Sequence, residues 1–305
     1  MAEPSLHTRE RIARLAEDAL RRADVVDVLP TPLAAVQAAV GIEERIDISE
    51  LPAAVRAKAP AAFSRVLGAL LPDQRVVFID RGQVPVRQTW TNGHEAAHAM
   101  CGWHGEILRL DNESTLFREL YPGVEAEANY GAGQLIFQGG RFHRRALREQ
   151  VSIATPIALS EEYGASIHAT VHYYAEEHPS AVALAILGVR HRADGRLPVW
   201  RCIESPNFRR RFASFLTILP DGAPRLSAGG VPSTVGELLL RSRCETIPPS
   251  TTVGLPDFGG TQRKFVLEAF FNGRCHFLMA SERRATRFGR RVRLEAPQPA
   301  LLSAR

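Results

Sequence analysis

The chain has 305 residues, of which 45% are hydrophobic and 23% charged, and carries a formal net charge of +5. Those values exclude a disordered or collagen-like chain and describe one that can bury a sizeable core. The positive excess is too small to mark a nucleic-acid binder by itself, and no apolar run approaches the roughly 18 residues that a membrane span needs.

The opening M-A-E-P-S-L-H-T-R-E holds no apolar core of signal-peptide length. Cys101, Cys202, Cys244 and Cys275 are scattered, with no C-x-x-C pair. Free thiols in a reducing cytoplasm are the expectation, and a zinc ribbon is excluded.

Thr8 to Ala23 reads as a helix, with Ile12, Leu15, Ala16 and Leu20 at helical spacing. P-T-P-L-A-A-V-Q-A-A-V-G reads as a short helix, with Thr31 as N-cap, Pro32 in the first turn and Gly41 as its stop. Leu67–Leu71 and Arg75–Asp80 read as strands joined by Pro72-Asp73-Gln74. A helix from about Thr89 to near Gly102 comes next, and Pro122 opens another that runs through Leu135. Ile153–Tyr163 and Ile167–Glu176 form a helix pair, ended by Gly164 and capped again by Ser166.

After Pro179 the apolar stretches shorten and β-branched residues, Gly and Pro recur. F-V-L-E-A-F-F-N-G-R-C-H-F-L-M predicts a hairpin, with Asn272-Gly273 suited to a type I′ turn. The fold class is therefore α+β. A helix-rich domain with a small sheet spans residues 1–180 and includes the helix-turn-helix-like pair at 153–177. A β-rich domain spans 181–305. Basic runs at Arg209–Arg211 and across Arg283–Arg293 read first as solvated surface, then as phosphate or acidic-partner contacts. The tail from Ala296 is expected to fray.

Residues 90–106 read W-T-N-G-H-E-A-A-H-A-M-C-G-W-H-G-E. Residues four apart share a helix face, so His94 and His98 can grip one metal ion with Glu95 beside it. A zinc ion with three protein ligands keeps a fourth position for water. It lowers that water's pKa and polarises a carbonyl. Glu95 can then take the water's proton and return it to a leaving amine.

Two residues compete as third ligand. His104 has metzincin-like spacing, but the glycine of that pattern falls one step late, at Gly102, and no methionine turn follows. Glu125 lies on the next predicted helix with Asn129 one turn on, so the carboxylate can bind metal while the amide orients a ligand histidine. Gly131, Ala132 and Gly133 would let that helix approach closely. Glu127 points elsewhere, and Glu113 is a weaker alternative.

Five segments resemble, in order, the ImmA/IrrE family of zinc metallopeptidases. D-V-L-P-T-P-L-A-A-V-Q-A-A-V-G-I is similar to the family's N-terminal helix, and R-V-V-F-I-D to the strand before its active helix. T-N-G-H-E-A-A-H is similar to T-x-A-H-E-L-G-H, and E-A-E-A-N-Y-G-A-G-Q-L-I-F to E-x-E-A-N-x-F-A-A-x-L-L-M-P. I-A-L-S-E-E-Y-G-A-S-I-H-A-T-V is similar to the helix pair that follows. The resemblance spans roughly residues 10–180. It implies zinc ligands His94, His98 and Glu125, with Glu95 as general base; manganese is an alternative metal in vitro. Thr89 stands where the family usually has arginine, Ala97 where it has glycine, and Gln138-Gly139 where it has Met-Pro.

The resemblance implies as substrate a helix-turn-helix transcriptional repressor, cut to release stress or mobile-element genes. Residues 181–305 carry no such likeness and suit substrate docking or sensing. Two rivals come from other classes: a DNA-binding regulator using the 153–177 pair, and an interaction protein with a silent metal site. I-H-A-T-V-H-Y-Y-A-E-E has no Lys or Arg and two adjacent glutamates, which phosphates would repel. His168 and His172 repeat the i, i+4 spacing without an adjoining glutamate and read as surface or partly buried residues.

Overall fold

Ser5 starts the first helix: its hydroxyl accepts a hydrogen bond from the Thr8 amide, and α1 runs Leu6–Arg22. Ile12, Ala16, Ala19 and Leu20 form its buried stripe. The computed structural model describes residues 4–47, 50, 68–71, 75–105, 122–189, 196–219, 233–244 and 247–283.

The second helix, α2 (Leu33–Ala39), begins one residue later than expected, with Pro32 rather than Thr31 at the cap. The Thr31 hydroxyl is engaged elsewhere. It donates to the Ile136 carbonyl at 3.1 Å and accepts from Gln138 Nε2 at 3.1 Å. Gly41, at φ +91°, ends the segment as predicted.

A three-stranded sheet follows, β1 (Glu44–Asp47), β2 (Gly68–Leu71) and β3 (Val76–Ile79), in the order β1-β3-β2. β3 pairs parallel with β1 and antiparallel with β2. Strand β1 had no sequence expectation, and Pro72-Asp73-Gln74 lies outside the described residues.

Next come α3 (Pro85–Met100) and α4 (Pro122–Phe137). α3 starts four residues before Thr89, because Val84 is extended and Pro85 takes the first helical position, where its fixed φ and missing N–H cost nothing. The two helices pack through their smallest residues. A Cβ on Gly131 would stand 2.8 Å from the Ala97 methyl, and one on Gly93 would stand 2.9 Å from Ile136. Gly133 faces Tyr173 instead.

α4 ends at Gln138 and Gly139, whose φ angles are +53° and +55°. The Gln138 amide donates to the carbonyls of Val25 and Val28, tying this break to the end of α1. A short helix absent from the sequence expectations, α5 (Gly140–Ala146), follows, then α6 (Ala154–Glu162) and α7 (Ile167–Glu176). Gly164, at φ +58°, separates the last two, and Ser166 caps α7 through the Ala169 amide, as read from the sequence. Phe137, Phe142, Tyr163 and Tyr173 pack ring on ring between these helices. Burial of each such side chain stabilises by about 1.5–3 kcal/mol.

Beyond α7 lies a five-stranded antiparallel sheet of β4 (Val182–Leu187), β5 (Val199–Glu204), β6 (Thr251–Pro256), β7 (Gln262–Phe271) and β8 (His276–Glu282). Its order is β5-β4-β8-β7-β6. Alternation along β4 shows how it is covered. Val182, Leu184 and Ile186 join the core of the preceding helices. Ala183, Ala185 and Leu187 join a second core with Phe208, Phe215 and Leu239. Those aromatic and leucine residues come from α8 (Pro206–Arg211), α9 (Phe215–Ile218) and α10 (Thr234–Arg241), none of which the sequence reading anticipated.

The α+β class therefore holds, and after residue 180 the described residues form a five-stranded sheet with three short helices. The Arg209–Arg211 run is the last turn of α8, and Arg211 makes two 2.6 Å bonds to Glu282. Past Arg283, the second basic run and the tail lie outside the described residues.

The β7–β8 hairpin is present, but its turn is not type I′. That turn needs positive φ at both central residues, and here Gly273 has φ +86° while Asn272 does not. The Asn272 side chain instead accepts from the amides of Arg274 and Cys275. No helix among the described residues is long and apolar enough to cross a membrane.

Candidate metal centre

Helix α3 presents His94 and His98 on one face, and both side chains are 7% exposed. The entry to the helix is held by Gln88, whose amide donates to the carbonyls of Arg81 and Gln83. Glu95, one residue further round, is buried. α4 brings Glu125 to the same place from its first turn, where a carboxylate also suits the positive end of the helix dipole.

The three side chains converge. His94 Nε2 and His98 Nε2 are 3.1 Å apart. Glu125 Oε2 lies 3.3 Å from the first and Glu125 Oε1 lies 3.4 Å from the second. Among the described residues, His94, His98 and Glu125 are the group whose donor atoms lie close enough to share an ion. A tetrahedral ion with ligands at 2.0–2.1 Å separates its donors by about 3.3 Å, a spacing close to those between the two nitrogens and between each nitrogen and the nearer Glu125 oxygen. Glu125 is 21% exposed, more than either histidine. Burial raises the Glu125 carboxyl, but the hydrogen bonds and charges of His94 and His98 outweigh it and hold it well below the usual carboxylate range.

The remaining candidates take other places. His104 is fully buried, on the helical turn at 102–105 just after α3. Its Nδ1 lies 3.1 Å from Nδ1 of His98, on the side of that imidazole away from Glu125. It does not join the converging group, and its burial keeps it off the surface. Burial lowers its pKa to about 4. Glu127 accepts from His104 Nε2 at 3.0 Å and from Trp103 Nε1 at 2.8 Å. Sequence spacing alone could not find these contacts, because they depend on how the chain folds back after Met100.

Asn129 is only partly buried. The Nδ1 of His94 is buried with no hydrogen-bond partner among the described residues, so Asn129 does not orient that imidazole. Glu113 lies outside the described residues.

Residues 43–173 match the peptidase M78 family, described as the IrrE N-terminal-like domain. This stretch is similar to an IrrE N-terminal-like domain. It runs from the start of the small sheet into α7 and contains every residue of the converging group. α1 and α2, which share in the resemblance to ImmA/IrrE proteins, lie before it. No curated protein matches the chain in sequence. A solved structure described as a Mycobacterium tuberculosis transcriptional regulator is similar at 15% identity and a TM-score of 0.52, over 89% of this chain and 76% of that one. That likeness concerns the fold and extends past the IrrE-like domain into the five-stranded sheet. Within the domain, Ala97 stands where the resemblance leads one to expect glycine, and Gly131 opposite it leaves room for the methyl.

Proposed function

We propose that the chain is a zinc-dependent endopeptidase, with His94, His98 and Glu125 as metal ligands and Glu95 as general base. The observation that carries this reading is the convergence of two imidazole nitrogens and one carboxylate, from two helices, close enough to share one ion. Bound zinc would supply a water of near-neutral pKa and polarise a peptide carbonyl. Glu95 takes the proton from that water and delivers it to the departing amine.

The substrate proposed is a helix-turn-helix repressor, with residues 181–305 docking it or sensing a signal. This rests on the resemblance to ImmA/IrrE proteins. α7 is a poor recognition helix, because it packs on β4 and β5 and stacks Tyr173 on Phe137. One observation favours a second reading, a regulator or interaction protein with a silent metal site: the fold likeness to a transcriptional regulator covers most of the chain.

The test incubates zinc- or manganese-loaded protein with the helix-turn-helix protein encoded nearest its gene. The wild type should cleave it, chelation should stop cleavage, and Glu95→Gln should keep its zinc and lose at least about 10²–10⁴-fold in rate. Equal cleavage by Glu95→Gln would remove catalysis from this helix. Binding without cleavage under every metal condition would favour the second reading.

A further inference from the structure

A buried side-chain chain leads away from the metal centre, and the chemistry proposed above does not use it. Trp103 Nε1 and His104 Nε2 both donate to Glu127 Oε2, at 2.8 and 3.0 Å. The Arg11 guanidinium lies over the Trp103 ring, 4.0 Å from its centre, and anchors the far end on α1. At the near end the two Nδ1 atoms of His104 and His98 face each other at 3.1 Å.

Two facing imidazole nitrogens can bond in one way only: one carries the proton and the other offers its lone pair. Glu127 decides which. Its carboxylate accepts, so the proton of neutral His104 sits on Nε2 and Nδ1 carries a lone pair. His98 must then place its own proton on Nδ1 and donate it to His104. The lone pair of His98 is left on Nε2, the atom 3.4 Å from Glu125. A metal-ligating histidine ordinarily donates its second ring N–H to a carboxylate or carbonyl, which fixes its tautomer and raises its basicity. Here an imidazole is inserted between ligand and carboxylate.

We infer that Glu127 and His104 are positioning residues, a two-step relay that holds His98 in the tautomer and orientation in which Nε2 ligates the metal. The inference rests on the metal-centre reading and extends it. It also accounts for two features of the sequence. His104, at nearly metzincin spacing, is buried behind a ligand rather than in front of the metal. Glu127, two residues from a ligand carboxylate, is turned onto His104 and Trp103 rather than toward the ion.

The relay is asymmetric. Among the described residues His94 has no equivalent support, since its buried Nδ1 finds no hydrogen-bond partner there. Loss of the relay should therefore weaken metal binding through His98 alone and leave His94 and Glu125 in place.

The experiment measures zinc affinity of the full chain by competition with a chromophoric chelator, with circular dichroism and a melting curve on each variant. Glu127→Gln keeps the shape of the side chain and removes the charge that sets the direction of both bonds. His104→Leu fills the site with no acceptor, whereas His104→Asn offers an oxygen near the position of Nδ1. Outer-shell partners typically contribute about 10–100-fold to metal affinity. Glu127→Gln and His104→Leu should fall in that range, and His104→Asn should recover most of the loss. A purely packing role predicts no advantage for Asn, because neither Leu nor Asn reproduces the shape of the imidazole. Wild-type affinity in both Glu127→Gln and His104→Leu would overturn the relay, as would His104→Asn binding no better than His104→Leu. A wild type that binds no zinc would overturn the metal centre itself, and with it the relay.

Discussion

His94/His98 on α3 and His168/His172 on α7 have the same four-residue spacing, and the fold gives them opposite surroundings. Facing the first pair is Glu125, a carboxylate from a neighbouring helix, within 3.4 Å of both imidazoles. Facing His172 is Arg201 on β5, which donates to Nε2 at 3.4 Å. The carboxylate nearest His172 is Glu176, on its own helix, and it is bound to Arg9 at 3.2 Å. Burial and Arg201 push the His172 pKa down to about 4. The spacing supplies two donors on one face in both cases. On the proposed reading, the charge on the element packed against them decides which pair can hold a metal.

The contrast breaks most readily at Glu125. Glu125→Ala should lower zinc affinity by more than about 100-fold, beyond the range usual for outer-shell groups, while Glu176→Ala should leave it unchanged. Chelator competition reads both, and equal affinities would show that the facing carboxylate is irrelevant.

Close approach of α3 and α4 is the second condition for the first pair. Gly131→Ala places a methyl 2.8 Å from that of Ala97. It should cost about 1–3 kcal/mol in denaturant unfolding, the usual scale of overpacking, and weaken zinc binding as the helices separate. An unchanged midpoint would mean that the helices do not need this contact.

The second pair has a titration signature of its own. His172 titrates at its ordinary value, near 6.5, in the unfolded chain and at about 4 in the folded one. The unfolded state therefore binds more protons in that window, and the stability is complete above pH ~6.5 and lost progressively as pH falls toward ~4. His172→Gln should flatten this part of the pH–stability curve. If both proteins lose stability equally between those pH values, His172 is not the group responsible.

Smallest is the effect at Glu17, which pairs with Arg141 and Arg21. Arg141 lowers its pKa to about 2, so its contribution is present above the ordinary carboxylate value and lost as pH falls through about 2. The pair is partly exposed, and Glu17→Gln should cost about 1 kcal/mol or less at neutral pH. A larger loss in melting experiments would place the pair among the main supports of α1.

The sequence reveals local features where a single residue has a single reason to be there. Gly41, Gly164 and Ser166 lie where breakers and caps were expected, and Pro122 opens α4. It misleads where a residue serves a distant partner. Thr31 resembles a cap and is taken by Ile136 and Gln138. Helices α8 to α10 escape notice because each is short and their apolar residues face the sheet.

The metal-centre geometry divides the same way. His94 and His98 follow from helix spacing, and Glu125 from a second helix beside them. The contacts of His104 and Glu127 require the chain's return after α3, which no periodicity records.

The most direct measurement is zinc stoichiometry of the purified full chain beside two double variants, His94→Ala/His98→Ala and His168→Ala/His172→Ala. The wild type and the second variant should each hold about one zinc per chain, and the first about none. Full occupancy in His94→Ala/His98→Ala, or loss of zinc from His168→Ala/His172→Ala, would contradict the assignment of the metal centre to α3 and α4.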